Sequence, residues 1–336
     1  MNFRKLLYPF SILYDGVTAL RNHAYDIGWK ESRSYDLPII CVGNLSVGGT
    51  GKSPMIEYLL QFLKEKYNVA VLSRGYKRKT SGYVEVRTHS TADEVGDEPL
   101  QFKKKFPEVT VAVCADRRQG IEELKKKAGV ILLDDAFQHR RVKPSFTIVL
   151  TPFDDLYLND HLLPAGNLRE SRSGIKRADM VIVTKCPPDV PYASLQEIQY
   201  RMELSTEQSL FFSRIGYGNF IKGKTEELPV EYLMDKPFSL VTGIANPKPL
   251  VQHLKKRQYS FEHLKFPDHH DFTPSEINTL KKKEIILTTE KDYMRLQPKL
   301  DKFALYYLPI TTEILNSQSF ALNEQVLDAI EGFGKS

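Results

Sequence analysis

The stretch ICVGNLSVGGTGKSP, residues 40–54, decides the fold. An apolar run enters a glycine-rich turn, Gly51-Lys52-Ser53 follows, and Pro54 sits where a helix would have its first turn, a position at which the missing N–H is tolerated. Gly48, Gly49 and Gly51, with Thr50 between them, allow successive backbone N–H groups to cradle phosphate oxygens, and the helix N-terminus adds its positive dipole end. In that geometry Lys52 reaches the β- and γ-phosphates and the Ser53 hydroxyl ligates Mg²⁺. The generic pattern G-x-x-x-x-G-K-[ST] asks for glycine where this chain has Ser46. A glycine turn that precedes Lys-Ser by chance is the competing reading, and the strand before and the helix after weigh against it.

A phosphate loop needs an acidic group at the end of a neighbouring strand. Val130-Ile131-Leu132-Leu133-Asp134-Asp135 supplies two. Consecutive strand residues face opposite sides, so Asp134 is assigned to the metal and Asp135 to the loop or substrate. The runs Ile39–Val42, Val69–Leu72, Val109–Cys114, Val130–Leu133, Phe146–Leu150 and Met180–Val183 are continuously apolar, as parallel strands covered on both faces should be. Helical stretches at Pro54–Lys66, Asp97–Lys105 and Asp116–Lys127 alternate with them. The expected fold is therefore α/β, a P-loop NTPase-type, doubly wound, mostly parallel sheet. After about residue 205 a strand pair, Phe211–Ile215 and Asn219–Ile221, precedes renewed alternation with strands at Ser239–Val241, Glu284–Leu287 and Ala304–Leu308. The expected division is an N-terminal helix (1–28), a P-loop domain (29–205), a short β linker (206–235) and a second, smaller α/β domain (236–336).

The 336 residues carry 47 Lys+Arg against 42 Asp+Glu, a net charge of +5 that is too mild to imply nucleic acid. Hydrophobic content of 41% and charged content of 26% are those of a globular chain. Cys41, Cys114 and Cys186 stand far apart in apolar runs, which offers no disulfide framework or zinc site and fits a reducing compartment. No segment reaches the ~20 apolar residues of a spanning helix. Phe3, Leu6, Leu7, Phe10, Leu13, Tyr14, Val17 and Leu20 nevertheless recur at helical spacing, with Arg4, Lys5, Asp15 and Arg21 between them. Pro9 and Asp15 interrupt any signal-peptide core. A helix packed on the core is one reading. An amphipathic helix in a membrane interface is preferred.

A GTPase is disfavoured, because Thr184-Lys185 begins a guanine clamp but Pro187 stands at the aspartate position. The motifs RGYKR (74–78), GDEP (96–99), LLDDAFQHR (132–140), LPAGNLRE (163–170), VTKCP (183–187), FPDHHDF (266–272) and TEKDYMR (289–295), with the phosphate loop, resemble the tetraacyldisaccharide 4′-kinase family of lipid A synthesis. They cover roughly residues 36–295 in that family's order. The departures are mild: Ser53 where threonine is common, which keeps the hydroxyl, and Ala136 where glycine often follows the aspartates.

The resemblance implies transfer of the ATP γ-phosphoryl group, with Mg²⁺, to the 4′-hydroxyl of a tetraacylated glucosamine disaccharide 1-phosphate at the inner face of the inner membrane. It further implies that Asp97 is the catalytic carboxylate, that His269, rather than His270, is its partner across the cleft, and that an N-terminal helix meets the membrane. Asp97 also suits a helix N-cap, and the adjacent histidines lack metal-ligand spacing. Arg74, Lys77 and Arg78 follow a strand end and, with Asp135 and Arg169, are candidates for substrate contact; Arg117, Arg118, His139 and Arg140 are further bases near strand ends. The competing classes are a P-loop ATPase coupled to a membrane or protein partner, and a nucleotide-binding membrane module without turnover. Neither requires the Gly-Asp-Glu-Pro and Asp-His-His elements.

Overall fold

Apolar runs that lack a polar alternation can be strands only if both faces are covered, and that is how they fold. The computed structural model describes residues 3–268 and 270–334. Its first part comprises α1 (Tyr8–Asp26), β1 (Ile39–Asn44), α2 (Lys52–Leu63), β2 (Val69–Ser73), β3 (Val84–Glu85), α3 (Ala92–Val95), α4 (Asp97–Lys105), β4 (Thr110–Val113), α5 (Arg117–Leu124), β5 (Val130–Asp134), β6 (Phe146–Pro152), β7 (Met180–Thr184), α6 (Tyr192–Met202) and β8 (Ser209–Tyr217). There follow β9 (Phe220–Lys222), β10 (Glu227–Pro229), β11 (Phe238–Thr242), α7 (Lys248–Lys256), β12 (Phe261–Lys265), α8 (Pro274–Leu280), β13 (Ile286–Thr288), α9 (Glu290–Leu296), β14 (Leu305–Tyr307), β15 (Ile310–Ile314) and α10 (Ser319–Glu331).

The large sheet has nine strands in the order β15-β8-β7-β6-β1-β5-β2-β4-β3. Its interior pairs are parallel, and only the edge strands β3 and β15 run antiparallel to their neighbours. Along β1, Ile39 and Cys41 enter one apolar cluster while Ile40 and Val42 enter the cluster on the other face, so a period of two is hidden inside an unbroken apolar run. The order also sets the site. β1 lies between β5 and β6, and its carboxyl end is the crevice where doubly wound sheets bind ligands. The small sheet, β10-β9-β14-β13-β11-β12, is parallel from β14 to β12 and has its own clusters.

Two expectations are corrected. The strands near 211–215 and 219–221 do not pair with each other as a linker: β8 joins β7 and β15 in the large sheet, whereas β9 joins β10 and β14 in the small one. Alternating Phe211 and Phe212 bury on opposite faces of the large sheet, and that burial, rather than a local turn, selects the partner. The residues after 310 also do not complete the smaller unit. β15 pairs with β8, and α10 lays Leu322, Val326 and Ile330 in the same apolar cluster as Ile56, Leu59 and Leu60 of α2. The two passages between sheets run side by side, with the Gly218 N–H donating to the Pro309 carbonyl at 2.9 Å.

The N-terminal helix docks in an unusual sense. Ser11 donates to the Leu162 carbonyl (2.9 Å), Tyr14 to the Arg169 carbonyl (2.9 Å) and Asn22 to Glu170 (3.0 Å), while Arg140 grips the Asn22 carbonyl and Asp26. The polar face therefore meets the protein. Phe10, Leu13, Val17 and Leu20 face outward at 60–69% exposure, opposite to a helix packed on the core.

Candidate active site

The phosphate loop is shaped from behind. Gly48 and Gly51 take left-handed φ of +109° and +93°, which L side chains rarely adopt, and a Cβ on Gly51 would lie 3.5 Å from Thr184. The Thr184 hydroxyl donates to the Thr50 carbonyl (2.7 Å), Asn44 donates to the Thr50 hydroxyl (2.9 Å), and Lys185 donates to the Gly49 carbonyl. These contacts take loop oxygens from outside, at the ends of β1 and β7. Thr50 itself is buried and its N–H returns to the Gly48 carbonyl at 3.1 Å, so its part is to shape the loop.

The acidic pair lies beside it because of register. Val42 of β1 is level with Asp134 of β5, and the Asp135 N–H donates to the Val42 carbonyl. Asp134 is 1% exposed; one carboxylate oxygen accepts from Ser73 (2.9 Å) and the other, Oδ1, has no hydrogen-bond partner among the described residues. Burial, then the charges of Glu98 and Asp135, push its carboxyl up to about 7 against the pull of Lys52. Asp135 leaves the strand at φ +48° and takes Arg169 (2.9 Å) and Lys52 (3.6 Å).

α4 brings in the third carboxylate. Gly96 caps it at φ +91°, where a Cβ would lie 3.1 Å from the Tyr76 carbonyl. Asp97 and Glu98 then open the helix. Glu98 accepts the Ser53 hydroxyl at 2.7 Å and the Lys291 ammonium at 2.7 Å, both on Oε1. Burial would raise its carboxyl, but Lys291, Ser53 and Lys52 outweigh it and hold the group down at about 2. Asp97 makes no cap; its Oδ2 accepts from Arg295 Nη2 (2.6 Å) and Nε (3.1 Å). Lys291 and Arg295 stand four apart on α9, hence on one helical face, and they meet the two successive acids of α4. His269 lies outside the described residues. His270 bonds Glu276 at 2.9 Å inside the capping box of α8 and stacks on Phe266.

Ser53, Glu98 and the unpartnered oxygen of Asp134 make a set of hard oxygen donors, which suits Mg²⁺. Among the described residues no group of His, Cys, Asp and Glu forms a metal cage, and Mg²⁺ characteristically uses one or two carboxylates together with substrate phosphates. The residues fit the ion.

The family model described as tetraacyldisaccharide-1-P 4′-kinase, LpxK, matches residues 3–331. The chain is 49% identical over 321 residues to the tetraacyldisaccharide 4′-kinase of Flavobacterium johnsoniae, covering 94% of each. This chain belongs to the tetraacyldisaccharide 4′-kinase family. It is also 44% identical over 354 residues to the family member of Bacteroides thetaiotaomicron, covering 97% of this chain and 93% of that one. A crystal structure of LpxK from Aquifex aeolicus in complex with ATP matches with a TM-score of 0.80 at 33% identity, covering 98% of this chain and 99% of that one. The P-loop-type α/β fold read from the sequence is that of the family.

Of the residues singled out in the sequence, Lys52, Ser53, Asp134, Asp135 and Arg169 gather at the phosphate loop and the end of β5 in this family member, and Asp97 stands next to Glu98, the partner of Ser53, with its own carboxylate on Arg295. Arg74 and Lys77 are exposed on the following loop. Arg78 is turned into that loop, donating to the Gly82 (2.6 Å) and Val113 (3.4 Å) carbonyls, and Arg117 is buried against the Cys114 carbonyl. Glu98, Lys185 and Lys291 were not singled out. Glu98 carried a signal, adjacency to Asp97; Lys185 and Lys291 lay inside the motifs VTKCP and TEKDYMR, which marked them as places to look, but their partners come only from tertiary structure.

Proposed function

We infer that this chain transfers the γ-phosphoryl group of ATP to the 4′-hydroxyl of a tetraacylated glucosamine disaccharide 1-phosphate, the lipid A precursor. The observation that carries the mechanism is the placement of Asp97 next to Glu98, so that a candidate base stands one residue from a metal-side oxygen. Lys52 and the loop amides hold the β- and γ-phosphates. Ser53, Glu98 and Asp134 would hold Mg²⁺, which neutralises phosphate charge when bound. Asp97 accepts the proton of the 4′-hydroxyl as that oxygen bonds to the γ-phosphorus. The bond from phosphorus to the β–γ bridging oxygen breaks, and ADP leaves with the electron pair. Arg295 fixes the Asp97 carboxylate, with His269 assigned as its further partner. Arg74 and Lys77, exposed on their loop, are bases available for the substrate's 1-phosphate, and Arg169, paired with Asp135, is a further candidate for substrate contact.

The outward apolar face of α1 supports a peripheral seat on the inner membrane's cytoplasmic face, where ATP and lipid substrate meet. No described helix is long and apolar enough to cross a membrane. Truncation of residues 1–28 should release the protein from anionic vesicles, and unchanged sedimentation would sink that assignment. Radiolabelled γ-phosphate transfer to a lipid A disaccharide 1-phosphate in detergent micelles tests the function. Label should reach the lipid, with ATP turnover nearly silent in its absence. Turnover indifferent to the acceptor would favour a coupled ATPase instead.

A further inference from the structure

Lys291 belongs to the smaller sheet's helix α9, yet its ammonium ends in the larger sheet's phosphate crevice. It shares Glu98 Oε1 with the Ser53 hydroxyl, so ammonium and hydroxyl are both first neighbours of one atom, at the first turn of the phosphate-loop helix. An oxygen with two lone pairs that serves these two donors is full. Lys185 donates to the loop carbonyl of Gly49 and feels the charges of Lys291 and Lys52. Three ammonium groups, from α2, the end of β7 and α9, thus crowd one crevice within reach of each other's fields. Such crowding is costly unless a polyanion is expected there.

The position of Lys291 is also enforced. Its neighbour Glu290 is buried and bridged by Lys105 (3.2 Å), which simultaneously pairs with Glu57 of α2 (2.5 Å). Thr289 caps α9 by accepting the Asp292 N–H at 3.2 Å. The first turn of α9 is therefore clamped to α2 and α4, the two helices that carry Ser53 and Glu98.

We propose that Lys291 is a catalytic residue of the phosphoryl transfer: its ammonium, held at Glu98 before nucleotide enters, pairs with the non-bridging oxygens of the γ-phosphoryl group. The inference rests on the kinase reading above and adds a cation from the opposite side of the cleft. As the acceptor oxygen bonds to phosphorus and the ADP oxygen departs, charge on the equatorial oxygens is met by Lys52 from one side and Lys291 from the other. Ser53 keeps its lone pairs for the metal while donating to Glu98, so the two roles do not collide.

The test compares wild type with Lys291→Met and Lys291→Arg. Transfer to lipid A disaccharide 1-phosphate in micelles gives kcat, and calorimetry gives ADP affinity in EDTA, free of metal. For Lys291→Met, kcat should fall by about 10²-fold with ADP affinity within about threefold of wild type, as loss of a transition-state contact requires. Lys291→Arg should recover part of the loss. A fall of less than about tenfold, or a parallel fall in ADP affinity, overturns the proposal in favour of no role or a purely structural one. Should the methionine variant fail to fold, Lys291→Gln is judged by the same thresholds. Absence of acceptor-dependent transfer in wild type would instead remove the kinase reading itself.

Discussion

The substitution Asp97→Asn separates chemistry from architecture at this site. The asparagine side chain keeps a carbonyl oxygen where Oδ2 of Asp97 accepts both Arg295 nitrogens, at 2.6 and 3.1 Å, but it cannot take a proton. Loss of a positioned base typically costs 10²–10⁴ in rate, about 3–5 kcal/mol on the barrier. The structural loss is smaller. Hydrogen bonds to charged groups contribute roughly 1.5–3 kcal/mol, and the variant retains neutral versions of them, so stability should fall by less than about 2 kcal/mol. Phosphate contacts come from Lys52 and the loop, which the substitution does not touch. ATP affinity by calorimetry should therefore stay within about threefold while kcat collapses. A variant whose kcat stays within about tenfold of wild type, or whose loss follows ATP affinity, would refute the reasoning.

Glu170 has no exposed side-chain surface and joins Arg177 (2.6 Å), Asn22 (3.0 Å) and Gln138 (3.0 Å). Glu170→Ala strands a guanidinium stacked on Phe137, and urea titration should show a loss of about 3–5 kcal/mol; a loss under about 1 kcal/mol would show the hub to be dispensable. Glu290 is raised to about 7, by burial first and by Glu57 next, with Lys105 opposing. The folded state then holds this proton more tightly than the unfolded chain, so stability is fully present below the ordinary carboxyl value and declines as pH rises through about 7. Glu290→Gln should flatten that decline, gaining melting temperature relative to wild type at pH 8 more than at pH 5, and identical pH profiles for the two proteins would contradict it.

The large sheet was legible because its strands are long apolar runs with turns between them, a pattern with one packing solution. β1, β5 and β7 start at the expected residues, and the phosphate loop and Asp134 fall together because β1 and β5 are neighbours in register. The failures have a common cause. The partners of β8, β9 and β15 depend on contacts distant in sequence, and a strand's own residues do not say which sheet it will join. Lys291 and Arg295 were hidden for the same reason: they stood inside the motif TEKDYMR with no role assigned, and only the approach of α4 turns them into partners of Glu98 and Asp97. Lys185 read as a fragment of a guanine clamp, whereas its ammonium props the phosphate loop. The docking sense of α1 was half visible, since spacing marks an apolar face but does not say that the polar side is the one that binds.

The return of α10 to the larger sheet bears on how the molecule is made. Tyr58 of α2 donates to Asn323 at 2.9 Å, and Leu322, Val326 and Ile330 close an apolar surface laid down by residues synthesised far earlier. On the ribosome, the nucleotide-handling half must wait, its flank bare, while the whole intervening unit is translated and emerges. Chaperone demand during synthesis should therefore peak in that interval, and a late frameshift would leave that flank of the first half uncovered.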